Sequence, residues 1–96
     1  MTVRVTLNCQ LKPGSVESLT PFLAENLPNV RGFNGCMSVK VFFDIDQKEM
    51  LLEEEWISLN QHKEYMKYIT DNGVLAELAS FFEQPPVVKY FEKEMI

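Results

Sequence analysis

The chain has little of several residue types that build recognisable functional sites. Among its 96 residues there are two cysteines, one histidine and four glycines. Cys9 and Cys36 have no metal-ligand spacing and form no Cys-x-x-Cys pair, and one histidine does not complete a ligand cluster with them. No glycine-rich phosphate loop is present. The sequence therefore predicts no metal site, no cofactor and two reduced structural thiols.

Basic residues are also scarce. Nine Lys and Arg stand against fourteen Asp and Glu, so the net charge is −5, and no run of Lys or Arg offsets it. Nucleic acids require a basic face that neutralises phosphates, and anionic membranes attract basic segments. The charge therefore disfavours nucleic acid strongly, and anionic membranes weakly, as partners.

Long apolar runs are missing as well. No stretch approaches the roughly 20 apolar residues that a membrane-spanning helix needs. Residues 1–5 begin directly in a strand pattern, without the apolar core and small-residue cleavage site of a signal peptide. The expected location is the cytoplasm.

The remaining composition is typical of a globular protein, with 46% apolar and 24% charged residues. The length predicts one domain, residues 1–96. A chain this short buries only about 60–65% of the surface that its unfolded form exposes. Its core is therefore thin, and a second chain is a common remedy.

Apolar periodicity predicts strand, helix and strand in the first half. Residues 3–11 alternate with period two, as in a strand with one buried face. Ser15 is expected to cap a helix that runs to about Leu27 and ends at Pro28; alternatively, Thr20 caps a later start with Pro21 as first helical residue. Residues 36–45 are a second strand. The residues predicted to share one face of it are Met37, Val39, Val41, Phe43 and Ile45.

The second half repeats the pattern with one more helix. Residues 49–56 form a third strand, and its even positions face inward because they carry more apolar area. Ser58 and Gln61 form a capping box for a helix. A third helix follows at about 74–83, and residues 87–94 make a fourth strand. The second helix is predicted to bury Leu59, His62, Met66 and Ile69, with Tyr65 bordering that stripe.

The predicted order is β-α-β followed by β-α-α-β, in two halves of near-equal length. This is the α+β, ferredoxin-like split β-α-β arrangement, with a four-stranded antiparallel sheet in the order 4-1-3-2. Strands one and two are not neighbours in that order. A disulfide between Cys9 and Cys36 is therefore not expected.

Several short segments, in this order and spacing, resemble the antibiotic biosynthesis monooxygenase family over essentially the whole chain. They are Val-x-Leu-x-Cys-x-Leu-Lys-Pro-Gly at 5–14, Gly35-Cys36, Leu-Leu-Glu-Glu-Glu-Trp at 51–56 and Pro-Pro-Val at 85–87. The resemblance implies a homodimer in which two sheets form a shared α/β barrel, with a ligand cavity in each subunit. Members of this fold include monooxygenases that oxidise phenols or quinols without metal or flavin, haem-degrading enzymes and an isomerase of a phosphorylated sugar derivative. Fold alone does not choose among these.

Carried over residue by residue, the resemblance gives few matches. Trp56 matches the tryptophan that ends strand three in most members, and His62 stands where some polyketide-oxidising members have tyrosine. Leu52 replaces their asparagine, and Tyr65 stands where many members have histidine. The third helix has no histidine that could ligate iron. Haem degradation is therefore disfavoured.

The candidate site combines these positions with the inward faces. His62, on an apolar helix stripe, is a candidate base near pH 7, and Glu54 is a candidate base or a partner that orients His62. Trp56 is expected to stack on a flat ligand, and Tyr65 to donate a hydrogen bond to a developing oxyanion. The competing interpretation of His62 is a core histidine bonded to a backbone carbonyl, or one that points to water at the edge of the stripe. Glu54 would otherwise face water or pair with Lys or Arg. Trp56 would otherwise be a core or interface anchor, and Tyr65 an exposed or capping tyrosine. Further expected substrate contacts are Leu52, Leu7 and Met66.

A homodimer is also predicted from apolar side chains that the helices are not expected to cover, namely Phe42, Tyr90 and Phe91. The leading hypothesis for function is a cofactor-independent monooxygenase acting on a small phenolic or quinol-type aromatic. The alternatives are a non-catalytic ligand-binding or regulatory dimer, and an isomerase of a small phosphorylated metabolite. The last would need a cationic anchor, and none is found on the inward faces.

Overall fold

One antiparallel sheet of four strands organises the chain. The computed structural model describes residues 1–96. The strands lie in the order β2-β3-β1-β4, which confirms the predicted ferredoxin-like α+β fold and its strand order. In chain order the elements are β1 (Val3–Gln10), α1 (Val16–Arg31), β2 (Cys36–Phe43), β3 (Glu49–Trp56), α2 (Leu59–Asp71), α3 (Val74–Ala79) and β4 (Val87–Phe91).

The two central strands bury one face each. In the β1–β3 register, Val5 lies opposite Glu54 and Leu7 opposite Leu52, and all four side chains are buried. Every even position of β3 is buried, as its apolar area predicts. The core cluster joins this face to Leu19 and Leu23 of α1, Leu78 of α3 and others. We call this the helix-covered face, and the opposite side of the sheet the outer face.

Helix α1 is longer than predicted. It continues through Pro28 to Arg31, and its proline at position 21 lies inside it, so neither the predicted end nor the later start at Thr20 is found. Both prolines are exposed, as are the residues four positions before them, so water can bond to the carbonyls that each proline leaves free. Ser15 precedes the helix, but its side chain makes no capping bond.

Strand β2 differs from its predicted face at both ends. Cys36 pairs with Trp56 and Ser38 with Glu55, so Met37 is the extra residue of a bulge and is 53% exposed. At the other end Asp44 Oδ1 accepts the backbone N–H of Lys48 and of Glu49, at 2.8 and 2.7 Å. This turn ends the strand at Phe43. Ile45, predicted to share a strand face with Val39 and Val41, therefore lies outside the strand and is exposed in the hairpin link.

The last helix and strand are shorter than predicted. The backbone N–H of Lys12 donates to the carbonyl of Phe81, and that of Glu83 to Gln10, so the chain after Ala79 pairs with the end of β1 instead of staying helical. Strand β4 ends at Phe91, opposite Arg4. None of the helices is long and apolar enough to cross a membrane.

Candidate active site

Glu54 is a carboxylate on the helix-covered face. Strand alternation places it between Leu52 and Trp56, opposite Val5, and only 4% of it is exposed. Burial raises the pKa of its carboxyl, because the low-dielectric surroundings disfavour the charged form. The indole Nε1–H of Trp56 donates to its Oε1 at 2.8 Å and offsets part of that rise. The buried group can therefore take up a proton closer to neutral pH than an exposed glutamate can.

The capping box of α2 fixes the position of His62. The backbone N–H of Gln61 donates to Ser58 Oγ at 3.2 Å, which confirms the predicted helix start. Gly35, with φ 95°, lies directly against Gln61, and a Cβ at Gly35 would come within 2.6 Å of that side chain. The box is thereby packed against the residue that precedes β2. His62 lies in the first turn that follows and is fully buried, whereas Leu59, predicted to face inward, is the first helical residue and is 38% exposed.

Both ring nitrogens of His62 face a proton-carrying group. Nδ1 lies 3.0 Å from the hydroxyl of Tyr90, and Nε2 lies 3.7 Å from Glu54 Oε1. Nε2 has no hydrogen-bond partner within bonding distance although it is buried. Burial lowers the pKa of His62 to about 4, so the imidazole is neutral at physiological pH.

Tyr90 also belongs to the group formed by Glu54 and His62, although it was predicted to lie on the face that the helices leave uncovered. It pairs with the buried Val5 across β1 and β4, so its side chain lies on the helix-covered face and reaches His62. The predicted outer position of Tyr90 is therefore wrong, while Phe42 and Phe91 do remain exposed. The alternation of Val88 and Tyr90 against Val87 and Phe91 was the available signal.

Aromatic rings surround this end of the sheet. Trp56 meets His62 edge-on with ring centroids 5.2 Å apart, and Tyr90 also meets the imidazole edge-on, at 5.4 Å. Tyr65 lies 5.4 Å from Trp56, and Phe33 packs on both. These rings fix the orientation of His62 and leave the Glu54 carboxyl in apolar surroundings.

A small cavity lies between the helix-covered face and the three helices. Its volume is about 50 Å³. Of the side chains predicted to form the site, five line it: Glu54, Tyr65, Leu52, Leu7 and Met66. His62 and Trp56 do not line the cavity, although both lie next to the carboxyl of Glu54. The structure thus brings all seven predicted site residues together. Five lie on the cavity wall, and the other two, His62 and Trp56, lie next to the Glu54 carboxyl.

The cavity wall is almost entirely apolar. Thirteen of its fifteen residues are hydrophobic, and Glu54 is the only charged one. Asn26 is the other polar residue of the wall, and Tyr65 also carries a hydroxyl. Burial raises the pKa of Tyr65, so its hydroxyl keeps its proton and can donate a hydrogen bond. No three His, Cys, Asp or Glu side chains of the chain are grouped so that they could hold a metal ion.

The fold and this site define a small α+β protein with a buried carboxyl at the wall of an apolar cavity. No protein-family model matches the chain, and no curated protein matches it significantly in sequence. Solved structures do match. A conserved protein from Methanosarcina mazei Go1 superposes with a TM-score of 0.87 at 15% identity, covering 98% of this chain and 94% of that chain.

Two further matches connect the fold to a named family. A Bordetella bronchiseptica protein, named after the antibiotic biosynthesis monooxygenases, has a TM-score of 0.83 at 19% identity over 98% of each chain. A Streptomyces coelicolor monooxygenase solved in complex with nanaomycin D has a TM-score of 0.79 at 14% identity, covering 99% of this chain and 88% of that chain. The chain therefore has the fold of the antibiotic biosynthesis monooxygenases, as the ordered sequence segments predicted.

Proposed function

We propose that the chain is a cofactor-independent monooxygenase that oxidises a small, single-ring phenol or quinol, with Glu54 as the catalytic base. The observation that carries this proposal is a carboxyl 4% exposed, with a raised pKa, on the wall of an otherwise apolar cavity. The likeness in fold to monooxygenases supports it. His62 does not line the cavity, so it is proposed as a neighbour that acts on Glu54 and not as the base that contacts the substrate.

The chemistry needs a base and a dry site. Glu54 takes the phenolic proton, and the phenolate gives electrons to oxygen far more readily than the phenol does. One atom of O₂ enters the ring, which becomes a quinone, and the other leaves as water, so that phenol and O₂ become quinone and H₂O. The Tyr65 hydroxyl donates a hydrogen bond to the developing quinone oxygen, and the apolar wall excludes competing water.

The cavity volume restricts the substrate. A cavity of about 150 Å³ accommodates a benzene ring, whereas this one measures about 50 Å³. Entry of one ring therefore requires the helices to move apart. A polycyclic substrate would require a much larger opening, so the proposal is limited to single-ring compounds.

Oxygen consumption tests the proposal. Purified protein is supplied with a panel of hydroquinones and phenols without added metal or flavin, and uptake is followed with an oxygen electrode. We expect uptake above the buffer rate and a loss of about 10²–10⁴-fold in Glu54→Gln, the range for a lost general base. The matched control is Glu53→Gln, which removes the neighbouring carboxylate on the outer face and should stay within about twofold. Uptake that is unaffected by Glu54→Gln, or absent across the panel, contradicts the proposal.

Absence of uptake would favour a ligand-binding protein with the same cavity. The observation behind this second candidate is Leu52, a buried wall residue that supplies no polar contact where some members carry asparagine. Binding of a single-ring phenol without turnover, measured by calorimetry, would support it. A phosphorylated substrate is not favoured, because the only charged group on the wall is a carboxylate, which repels phosphate.

We further propose that two copies of the chain pair through the outer face. The helices leave this face uncovered, and Phe42, Val87 and Phe91 are each 47–49% exposed there. Sedimentation should give twice the 11.1 kDa mass at micromolar concentration. Phe42→Asp should raise the fraction of monomer. Ile57→Asp, at a residue that is 55% exposed and lies outside the strands, should leave that fraction unchanged. A stable wild-type monomer would contradict this proposal.

A further inference from the structure

The buried carboxyl of Glu54 has one neighbour through which a proton can leave. Trp56 bonds Glu54 through an indole N–H, which is a donor only. The other titratable side chains that lie near enough to interact electrostatically are Cys9, Cys36, Tyr65 and Tyr90. Burial raises the pKa of Cys9 to about 12 and also raises the pKa of each of the others, and none of the four makes a hydrogen bond to the Glu54 carboxyl.

His62 is different because it can exchange protons without becoming charged. Its Nε2 is buried, lacks a partner and faces Glu54 Oε1 at 3.7 Å, about 0.5 Å beyond the usual limit of a hydrogen bond. Its Nδ1 already lies at bonding distance, 3.0 Å, from the hydroxyl of Tyr90. A neutral imidazole that accepts a proton at one nitrogen and gives up a proton at the other changes tautomer and keeps its charge.

Tyr90 connects this pair to solvent. It belongs to β4, the edge strand next to β1, and 40% of it is exposed. Its hydroxyl can accept the proton from His62 and donate its own to water. The buried carboxyl, the imidazole and the partly exposed phenol therefore form one continuous row from the cavity wall to the sheet edge.

We propose that His62 and Tyr90 relay protons between Glu54 and solvent across β4. In the outward direction the Glu54 O–H bond breaks and an Nε2–H bond forms. The Nδ1–H proton passes to the Tyr90 oxygen, and the Tyr90 hydroxyl proton passes to water. One proton leaves in total: Glu54 ends as carboxylate, His62 as the Nε2–H tautomer and Tyr90 unchanged. The low pKa of His62 agrees with transfer through neutral tautomers, since an imidazolium is not required.

The relay rests on the proposed function for its use in catalysis, because Glu54 must give up the phenolic proton before the next turnover, and the relay passes that proton through solvent to the water that the reaction forms. It can nevertheless be measured without turnover. His62 is the only histidine, so protein labelled with ¹⁵N-histidine gives a single pair of ring nitrogen signals. These signals report which nitrogen carries the proton at each pH.

In the wild type we expect the protonated nitrogen to change from Nε2 to Nδ1 as Glu54 takes up its proton, because the Glu54 O–H then donates to Nε2. Tyr90→Phe keeps the ring but removes the hydroxyl that accepts the Nδ1–H proton, and it should reduce the fraction of His62 that changes tautomer. Glu54→Gln should abolish the change. The matched control is Tyr68→Phe, a hydroxyl removed from a tyrosine 54% exposed that packs on Phe33 and not on His62. It should leave the change intact.

A His62 tautomer that stays constant while Glu54 titrates overturns the relay, as does a change that is as complete in Tyr90→Phe as in the wild type. Where oxygen uptake is observed, Tyr90→Phe should also lower kcat by about tenfold with KM within about twofold, since it acts after substrate binding. No oxygen uptake together with a tautomer change would overturn the proposed function and support the relay. Oxygen uptake without a tautomer change would support the proposed function and overturn the relay.

Discussion

Three consecutive glutamates of β3 occupy two opposite environments. Glu53 and Glu55 lie on the outer face, where Arg4 meets them at 3.1 and 4.0 Å and roughly a third of each carboxylate side chain is exposed. Glu54 lies on the helix-covered face with no Lys or Arg partner, and it bonds only an indole N–H. The chemical group is the same in all three, so the difference comes from strand alternation and from what covers each face.

Because of this difference, the carboxylates of Glu53 and Glu55 stabilise the fold, whereas the charged carboxylate of Glu54 destabilises it. On the outer face a nearby arginine and water solvate the charge. Inside, the charged form of Glu54 lacks a counter-ion, and its position is therefore more readily explained by chemistry than by folding.

The free energy of unfolding should fall in acid because His62 is buried in its neutral form. The folded protein holds the pKa of His62 at about 4 against an ordinary value of 6.5, so the unfolded chain takes up a proton first. The His62 contribution to stability is complete above pH 6.5 and is lost as the pH falls towards 4. The loss should be about 3 kcal/mol, since one pKa unit corresponds to about 1.4 kcal/mol.

Urea unfolding from pH 8 to pH 4 checks this prediction. The comparison is best made between Glu54→Gln and the double variant Glu54→Gln with His62→Gln. Glu54 titrates in the opposite sense: its raised folded pKa favours folding below its ordinary pKa and loses that contribution as the pH rises. Equal pH dependence in the two variants would show that His62 is not held neutral by burial.

The next effect concerns the one bond that Glu54 receives. In a double-mutant cycle of Trp56→Phe and Glu54→Leu at pH 8, the coupling free energy should be about 2 kcal/mol, the range of a hydrogen bond to a charged group. Denaturant unfolding of the four proteins gives the value. A coupling below about 0.5 kcal/mol would mean that the 2.8 Å contact contributes little and that Trp56 acts through packing alone.

The smallest effect is expected on the outer face. Glu53→Gln weakens an ion pair in which the arginine side chain is 47% exposed, and Arg4 can still interact with Glu55. Exposed pairs typically contribute about 0.2–1 kcal/mol, so the free energy of unfolding should change by no more than that in dilute solution. A change above about 2 kcal/mol would remove the contrast between the two faces.

Much of the fold was readable from β-strand alternation and turn residues. The even positions of β3 and the Ser58–Gln61 box were predicted and are found as expected. Alternation does not reveal where a strand departs from it. The bulge at Met37 shifts that residue outward, and Asp44 turns the chain before Ile45. Pro28 inside α1 was missed because the cost of a proline depends on whether water reaches the freed carbonyl.

The candidate site was readable as a set of residues but not as an arrangement. The inward face of β3 and the stripe of α2 predicted that Glu54 and His62 would be neighbours. The sequence does not specify that His62 lies beside the carboxyl instead of on the cavity wall, because that depends on how α2 crosses the sheet. Tyr90 was misplaced because it was grouped with Phe91 on one face, although adjacent residues of a strand lie on opposite faces.

The central claim is that Glu54 is a buried carboxyl poised to take up a proton. It is tested most directly by its own titration in protein carrying ¹³C at the glutamate side-chain carboxyl, followed by NMR from pH 3 to pH 9, with Glu54→Gln used to assign the signal. We expect a midpoint above the ordinary value of 4.5. A midpoint at or below 4.5 would show that Glu54 is solvated or paired like a surface carboxylate, and would contradict its role as the base.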